Sequence, residues 1–333
     1  MIDPDRPPPP PNPSSRSGAA GNNVTVIGTR TSRLALAQTD IVLGLLRAAA
    51  PGVRFESFGV STLGDRIRNV PIPDLGQGVF VKELEAALLG GEIDLAVHSL
   101  KDLPTTLPPG LCLAAVPPRG DPRDALVSRG GAELAGLPWG ARVGTGSPRR
   151  AAQVRALRPD LEVVLLRGNV DTRVRKVLDE GELDAAVLAA SGLQRLGMDD
   201  VVSELLSPDS FLPAVGQGFL AIECREDDAA SLALAALTQD PAARLAADAE
   251  RAFLAAVGGG CKAPLGAHAR TDNGRLTSLD GMISSLDGAR LLRDRVAGPE
   301  LSPQNAGLLL RDRLYALGAE ALVLEAEAGA PGT

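Results

Sequence analysis

The sequence predicts an α/β protein that ends in a smaller α+β unit. From Val24 onward, short apolar runs alternate with longer helical patterns in repeated strand, turn, helix order, as parallel sheets require. From about Pro241 this gives way to one long helix, a series of alternating strands and a last helix, the order of a small antiparallel sheet with helices on it. A length of 333 residues exceeds what one core usually serves, so two or three units are expected.

In the first series, VTVIGTR (24–30) is a strand followed by a helix from Ser32 to about Ala50, and VRFESFGVS (53–61) is a second strand. A Gly- and Pro-rich loop through Gly78 leads to a helix with Phe80, Leu84 and Leu88 on one face, ended by Gly90 and Gly91. IDLAVHS (93–99) has the composition of a strand covered on both faces. PPRGDPRD (117–124) reads as a linker, and a second series begins after it. RVGTG (142–146) enters a helix with Ser147 at the N-cap and Pro148 at the first turn, the favoured residues there. VVLLRG (163–168) leads into a helix through Val177, and DAAVLAA (184–190) into another after Ser191. LPAVGQGFLAIECR (212–225) ends in an apolar strand available to cross back to the first unit. The last unit has a helix over 241–257 running into GGGC, strands around 265–271, 275–284 and 289–297, and a helix from Ser302 to Leu317.

With 44% hydrophobic and 23% charged residues, the chain is neither disordered throughout nor, lacking an apolar run near the roughly 20 residues of a span, inserted in a membrane. Aromatics at 2% and a net charge of −7 argue against a nucleic-acid partner, because bases need stacking platforms and a polyanion needs cations. Cys112, Cys224 and Cys261 lie far apart, without the spacing of a zinc site or a disulfide framework; the expectation is a reducing cytosol and no metal. Residues 1–23, a proline run among small polar residues without the apolar stretch of a secretory signal, predict a disordered tail, with a proline-rich ligand for a partner domain as the alternative.

The basic residues are 30 Arg and 4 Lys, and their placement carries the chemistry. Ligands of open parallel sheets bind beyond the carboxyl ends of the strands, where loops enter helices. Arg30 ends the first strand, Arg149 and Arg150 follow Ser147, Arg167 ends a strand, Arg173 starts a helix and Arg195 lies one turn after Ser191. A helix N-terminus already carries about half a positive charge and prefers an acid, so cations there point to a bound anion. Any single Arg has an ordinary alternative, as a solvated residue or the partner of an acid such as Asp171. Six at equivalent edges favour a ligand with several carboxylates, which the guanidinium fork grips in bidentate fashion while helix N–H groups add donors. HSLKDLPT (98–105) places Lys101 and Asp102 at the end of the third strand. A carboxylate in such a pocket suits a ligand part that carries or develops positive charge; a turn-capping Asp is the alternative. Cys261, after three glycines and before Lys262, is either an accessible thiolate or an inert loop thiol, and Cys112 and Cys224 sit in apolar runs. His98 reads as structural, and His98 with His268 supports no Ser-His-Asp triad.

The stretches GTRTSRLALAQ (28–38), GVFVKELEAALL (78–89), DLAVHSLKDLPT (94–105), VGTGSPRRAAQ (143–153), LRGNVDTR (166–173), LPAVGQG (212–218) and GGGCKAPLGA (258–267) together resemble the porphobilinogen deaminases over nearly the whole chain from Val24. The resemblance implies two lobes like those of periplasmic binding proteins around a cleft, with a third domain bearing the cofactor cysteine. The domains would span 24–117 with 218–237, 123–212, and 241–330. It makes Cys261 the thioether attachment point of a dipyrromethane cofactor and Asp102 the catalytic carboxylate. Lys101, Ser147, Arg149, Arg150 and Phe80 would contact the cofactor; Arg30, Ser32, Arg167, Arg173 and Arg195 would bind the acetate and propionate arms of porphobilinogen and of the growing chain. A cytoplasmic monomer is implied. Gln77, Gly146 and Pro148 stand where Lys, Ser and Leu are common in the family, which touches individual anion contacts. Two other classes remain: a binding protein that closes on an anionic metabolite, against which the Cys261 loop counts, and a hydrolase using Cys261 with His268, which leaves the arginines unexplained.

Overall fold

The computed structural model describes residues 24–60, 81–258 and 263–328. The first apolar run forms β1 (Val24–Arg30), which pairs in parallel with β2 (Arg54–Val60) and β3 (Leu95–Ser99). β10 (Leu220–Arg225) lies antiparallel between β3 and β4 (Leu111–Ala115), so the sheet order is β2-β1-β3-β10-β4. A second sheet repeats the plan. β6 (Arg142–Thr145) is flanked in parallel by β7 (Glu162–Leu165) and β8 (Ala185–Ala189), and β5 (Asp124–Ser128) lies antiparallel between β8 and β9 (Glu204–Leu206). In each sheet the antiparallel strand inside is the one that arrives from the other sheet: β5 after the crossover at 116–123, β10 after the crossover at 207–219. Each sheet therefore holds a strand delivered by its neighbour, and the expected return of 212–225 to the first unit is observed.

Helices α1 (Arg33–Ala49), α2 (Lys82–Leu89), α3 (Pro148–Leu157), α4 (Val170–Leu178) and α5 (Ala190–Arg195) follow strands of the two sheets. In α1 the buried residues Ala35, Gln38, Thr39, Val42, Leu43 and Leu46 recur at three- and four-residue steps, so one stripe meets the sheet. Val42 and Leu46 pack there with Ile27 of β1 and Leu95 of β3, all fully buried, each worth about 1.5–3 kcal/mol of removal from water. α6 (Ala229–Ala236) follows β10 and leads to α7 (Pro241–Val257). β11 (Leu265–Asp272), β12 (Arg275–Ser284) and β13 (Leu291–Leu301) form an antiparallel sheet covered by α7, α8 (Pro303–Ala316) and α9 (Ala319–Ala328). One apolar cluster joins Phe253 of α7 to Leu100, Leu103, Val215 and Phe219. The turn that carries Lys101 and Asp102 thus rests on the core of the third unit.

The two crossovers are bolted together. Gly120 N donates to Gly218 O at 3.1 Å, and Arg119 donates through Nε (3.0 Å) and Nη2 (2.9 Å) to Gln217 O. Gly218 has φ 92°, and a Cβ there would stand 2.6 Å from Gly120 O, so only glycine permits both the conformation and the approach. Arg119 also pairs with the fully buried Glu250 of α7 at 2.9 Å, while Glu250 accepts from Gly216 N (2.8 Å) and Ala269 N (3.0 Å). Burial pushes the Glu250 carboxyl up, against Arg119, whose charge opposes the rise.

Local differences from the expected elements have local causes. β5 begins at Asp124, inside the stretch that reads as a linker, because its five residues are too short to show a period. α5 begins at Ala190, with Ala189 before it, so Ser191 is inside the helix. β13 starts at Leu291 and runs on to Leu301. The tail at 1–23, the loop through Gly78, Phe80 and Cys261 lie outside the described residues. No helix among the described residues is long and apolar enough to cross a membrane.

Candidate active site

At the carboxyl edge of the first sheet, Arg30, Ser32, Gln38, His98, Ser99 and Asp102 line one cavity. Arg30 is the last residue of β1, and Ser32 caps α1, its hydroxyl accepting from Ala35 N at 3.3 Å. The helix start therefore presents polar groups next to Arg30. Gln38 donates through Nε2 to Ser99 Oγ at 2.8 Å and so ties α1 to the end of β3. Lys101 and Asp102 follow in a single 3-10 turn at Leu100–Asp102, both side chains exposed. Behind them His98 Nε2 lies 2.9 Å from Glu223 Oε2, both buried, which gives His98 the structural partner expected of it.

At the matching edge of the second sheet, Ser147 caps α3 and accepts from Arg150 N at 3.4 Å, as its position in the sequence predicts. Arg149 and Arg150 occupy the first turn but turn inward and are buried. Their counter-ion is Asp124, fully buried at the start of β5. It accepts from Arg149 Nη1 at 2.8 Å and Arg150 Nε at 2.8 Å, with Arg150 Nη2 at 2.7 Å. Burial alone would raise the Asp124 carboxyl; Arg149 and Arg150 outweigh it and hold it down at about 2. Sequence reasoning missed Asp124. Its only signals were an acid at the end of a linker and two adjacent arginines in need of an anion.

Two guanidiniums against one carboxylate leave an excess positive charge, and neighbouring cations register it. The protein crowded around the cleft, and after it the charge of Arg150, pushes the Lys101 ammonium down to about 8 although the residue stays open to solvent, with Asp102 and Asp124 pulling the other way. Burial, then Arg150 and Arg167, pushes Arg173 down to about 10. Arg173 donates through Nε to Gly168 O at 2.7 Å, in the turn that precedes α4. Lys101, Arg149, Arg150, Arg167 and Arg173 therefore form one electropositive group that spans the edges of both sheets. Arg195 stands apart. It is the last residue of the short α5, where a cation suits the helix dipole, and it donates through Nη2 to Gly218 O of the second crossover at 2.6 Å. Burial brings it down to about 10 as well.

The edge can take an anion. Arg149 Nε is a buried donor with no hydrogen-bond acceptor among the described residues, as expected where a ligand carboxylate belongs. The flanks of the Cys261 segment converge on the same place: Ala267 N donates to Pro213 O at 3.1 Å, and a Cβ on Gly266 would stand 3.2 Å from Arg149 Cδ. Because Lys101 loses its proton near pH 8, affinity for a pyrrole bearing acetate and propionate arms is expected to fall as pH rises through about 8. Lys101→Arg, whose charge persists, is expected to flatten that fall in a calorimetric titration; an unchanged profile would remove Lys101 from the anion contacts.

Among the described residues, no group of His, Cys, Asp and Glu is arranged to hold a metal ion. The hydrolase alternative is weakened at His268, which burial, then Arg119 and Arg270, pushes down to about 3, far below the range of a base that protonates near neutrality.

Comparison with known proteins gives a consistent answer. Residues 25–233 match the family model described as porphobilinogen deaminase, dipyromethane cofactor binding domain, and residues 244–316 match that of the porphobilinogen deaminase C-terminal domain. A porphobilinogen deaminase of Roseiflexus castenholzii is 52% identical over 302 residues, covering 90% of this chain and 99% of its own. Another, from Geobacter metallireducens, is 48% identical over 300 residues, covering 90% and 93%. Among solved structures, an arginine-specific periplasmic binding protein of Salmonella typhimurium aligns over 65% of this chain and 92% of its own, at 14% identity and a TM-score of 0.37.

Proposed function

The chain belongs to the porphobilinogen deaminase family, and from that premise we propose how its residues divide the family's chemistry. The enzyme is a transferase that condenses four porphobilinogen molecules head to tail, releasing ammonia, into the linear tetrapyrrole hydroxymethylbilane on a covalently bound dipyrromethane cofactor.

Cys261 holds the cofactor through a thioether, with Lys101, Ser147, Arg149, Arg150 and Phe80 around it. When bound, that group supplies the pyrrole carbon to which the first substrate is joined. Arg30, Ser32, Arg167, Arg173 and Arg195 bind the carboxylate arms of substrate and product chain. The orphaned donor at Arg149 and the excess charge around Asp124 support this division. Asp102 faces the aminomethyl end. Its carboxylate stabilises the positive charge that develops on the pyrrole as ammonia leaves. The observation that carries the reading is the single cavity lined by Arg30, Ser32 and Asp102, which sets cation, helix start and carboxylate around one space: a place for a substrate with two carboxylates and one ammonium.

In this reading the three sheets mark three domains, over 24–117 with 218–237, 123–212 and 241–330. The protein acts as a cytoplasmic monomer without a nucleic-acid or membrane partner; these last points rest on the family resemblance and on the composition. The division of labour is tested by Arg149→Leu and Arg167→Leu mixed with limiting porphobilinogen and followed by intact mass. Losing one charge-assisted contact costs about 1.5–3 kcal/mol, or roughly 10- to 150-fold in binding. Each variant is therefore expected to fail in cofactor loading or to accumulate a particular partial chain. A wild-type distribution of masses in both would overturn the assignment of these arginines.

A further inference from the structure

Asp124 does more than neutralise one arginine. Besides Arg149 and Arg150, it accepts from Gln217 Nε2 at 3.0 Å. Gln217 belongs to the second crossover, and its amide also donates to Pro122 O (2.8 Å) and Arg123 O (3.2 Å) of the first. Its Oε1 in turn accepts from Arg150 Nη2 at 3.3 Å. Asp124 is itself the residue at which the first crossover becomes β5. The arginine pair is thus fixed to both segments that join the two sheets. A guanidinium on a helix start has several rotamers and, with its positive neighbours, every electrostatic reason to leave. Four donors converging on one buried carboxylate remove that freedom before any ligand arrives, and preorganised charge binds better than charge that must be ordered during binding.

We propose that Asp124 is a positioning residue for the anion site: through its carboxylate it locks Arg149 and Arg150, together with Gln217, against the two crossovers, so that the pair is preset to receive the carboxylates of the pyrrole cofactor. This rests on the reading of Arg149 and Arg150 as cofactor contacts and adds to it the group that holds them. Asp124 touches no ligand and acts only through the guanidiniums.

The test uses the full chain as Asp124→Asn, Arg149→Leu and the double variant, each checked for folding by its thermal transition. The readout is the rate of covalent pyrrole loading of the apo chain from porphobilinogen, followed by intact mass. Each single substitution is expected to slow loading by roughly 10-fold or more, as loss of a charged hydrogen bond should. The double variant should lose less than the product of the two separate losses, because Asp124 acts in part through Arg149 while still holding Arg150, and residues that share a contact are not additive. A product of the two separate losses would show Asp124 acting independently of Arg149 and would overturn the proposal. Wild-type loading in folded Asp124→Asn would overturn it too, as would slow loading in Asp124→Asn beside normal loading in Arg149→Leu. If Asp124→Asn does not fold, Asp124→Glu retains the charge but displaces it by one methylene: slowed loading in the folded variant supports positioning, and normal loading refutes it. Failure of the underlying cofactor reading would look different, since Arg149→Leu would then load at the wild-type rate, whereas slow loading in Arg149→Leu beside wild-type loading in Asp124→Asn counts against the proposal alone.

Discussion

Asp102→Asn is expected to lower the turnover of porphobilinogen by about 100-fold or more, the order of effect found when a group aimed at developing charge is removed. The substitution preserves size and one acceptor oxygen and removes only the charge. Asp102 is exposed in its turn at Leu100–Asp102 and anchors no core, so folding should change by no more than about 0.5 kcal/mol. The anchoring of that turn comes instead from Leu100 and Leu103, buried in the cluster with Phe253. Cofactor loading and the affinity for carboxylate arms should fall much less than turnover, because the arginines that supply them are untouched. A fall in kcat with little change in KM is therefore the expected signature in steady-state assays. Near-normal kcat would leave Asp102 as a turn residue and return the chemical step to another group.

Much of this site is legible in the sequence because its parts are local. Ser32 and Ser147 can be placed at helix starts from N-cap chemistry that acts over three residues, and β1, β3, β6 and β8 from short apolar runs before turns. The placement of Arg30, Lys101, Asp102 and Ser147 at strand ends and helix starts follows from those elements alone. For Arg195 only the helix-start argument does not apply, because nothing in the sequence shows that α5 stops after six residues and ends on it, and its proposed carboxylate contact rests on the family resemblance. The partners of Arg149 and Arg150 were not legible either. Asp124 lies 25 and 26 positions before them, and the register of β5 against β8 decides their meeting. Gln217 and Glu250 belong to the same class. Each is a buried polar residue whose role depends on crossovers meeting, and no periodicity signals that. β4 and α6 lack a period for the same reason that β5 does, being five and eight residues of nearly uniform apolar character.

Cys261→Ser is expected to abolish activity, since a serine hydroxyl does not form the thioether that the cofactor requires. The other two cysteines are unsuited to that work. Burial, with Cys112 beside it, pushes the Cys224 thiol up to about 12, and burial raises Cys112 too, so neither offers a thiolate near neutrality. Their setting agrees: Cys224 is buried opposite Cys112 on adjacent strands β10 and β4, within the apolar cluster of the first sheet. Cys112→Ser and Cys224→Ala, where folded, should therefore retain turnover. The most direct measurement is the intact mass of the purified wild-type chain beside Cys261→Ser. The account predicts an added mass of two linked pyrrole units on the wild type and none on the variant; an unmodified active wild type, or a Cys261→Ser variant that carries the same mass and turns over porphobilinogen, would contradict it.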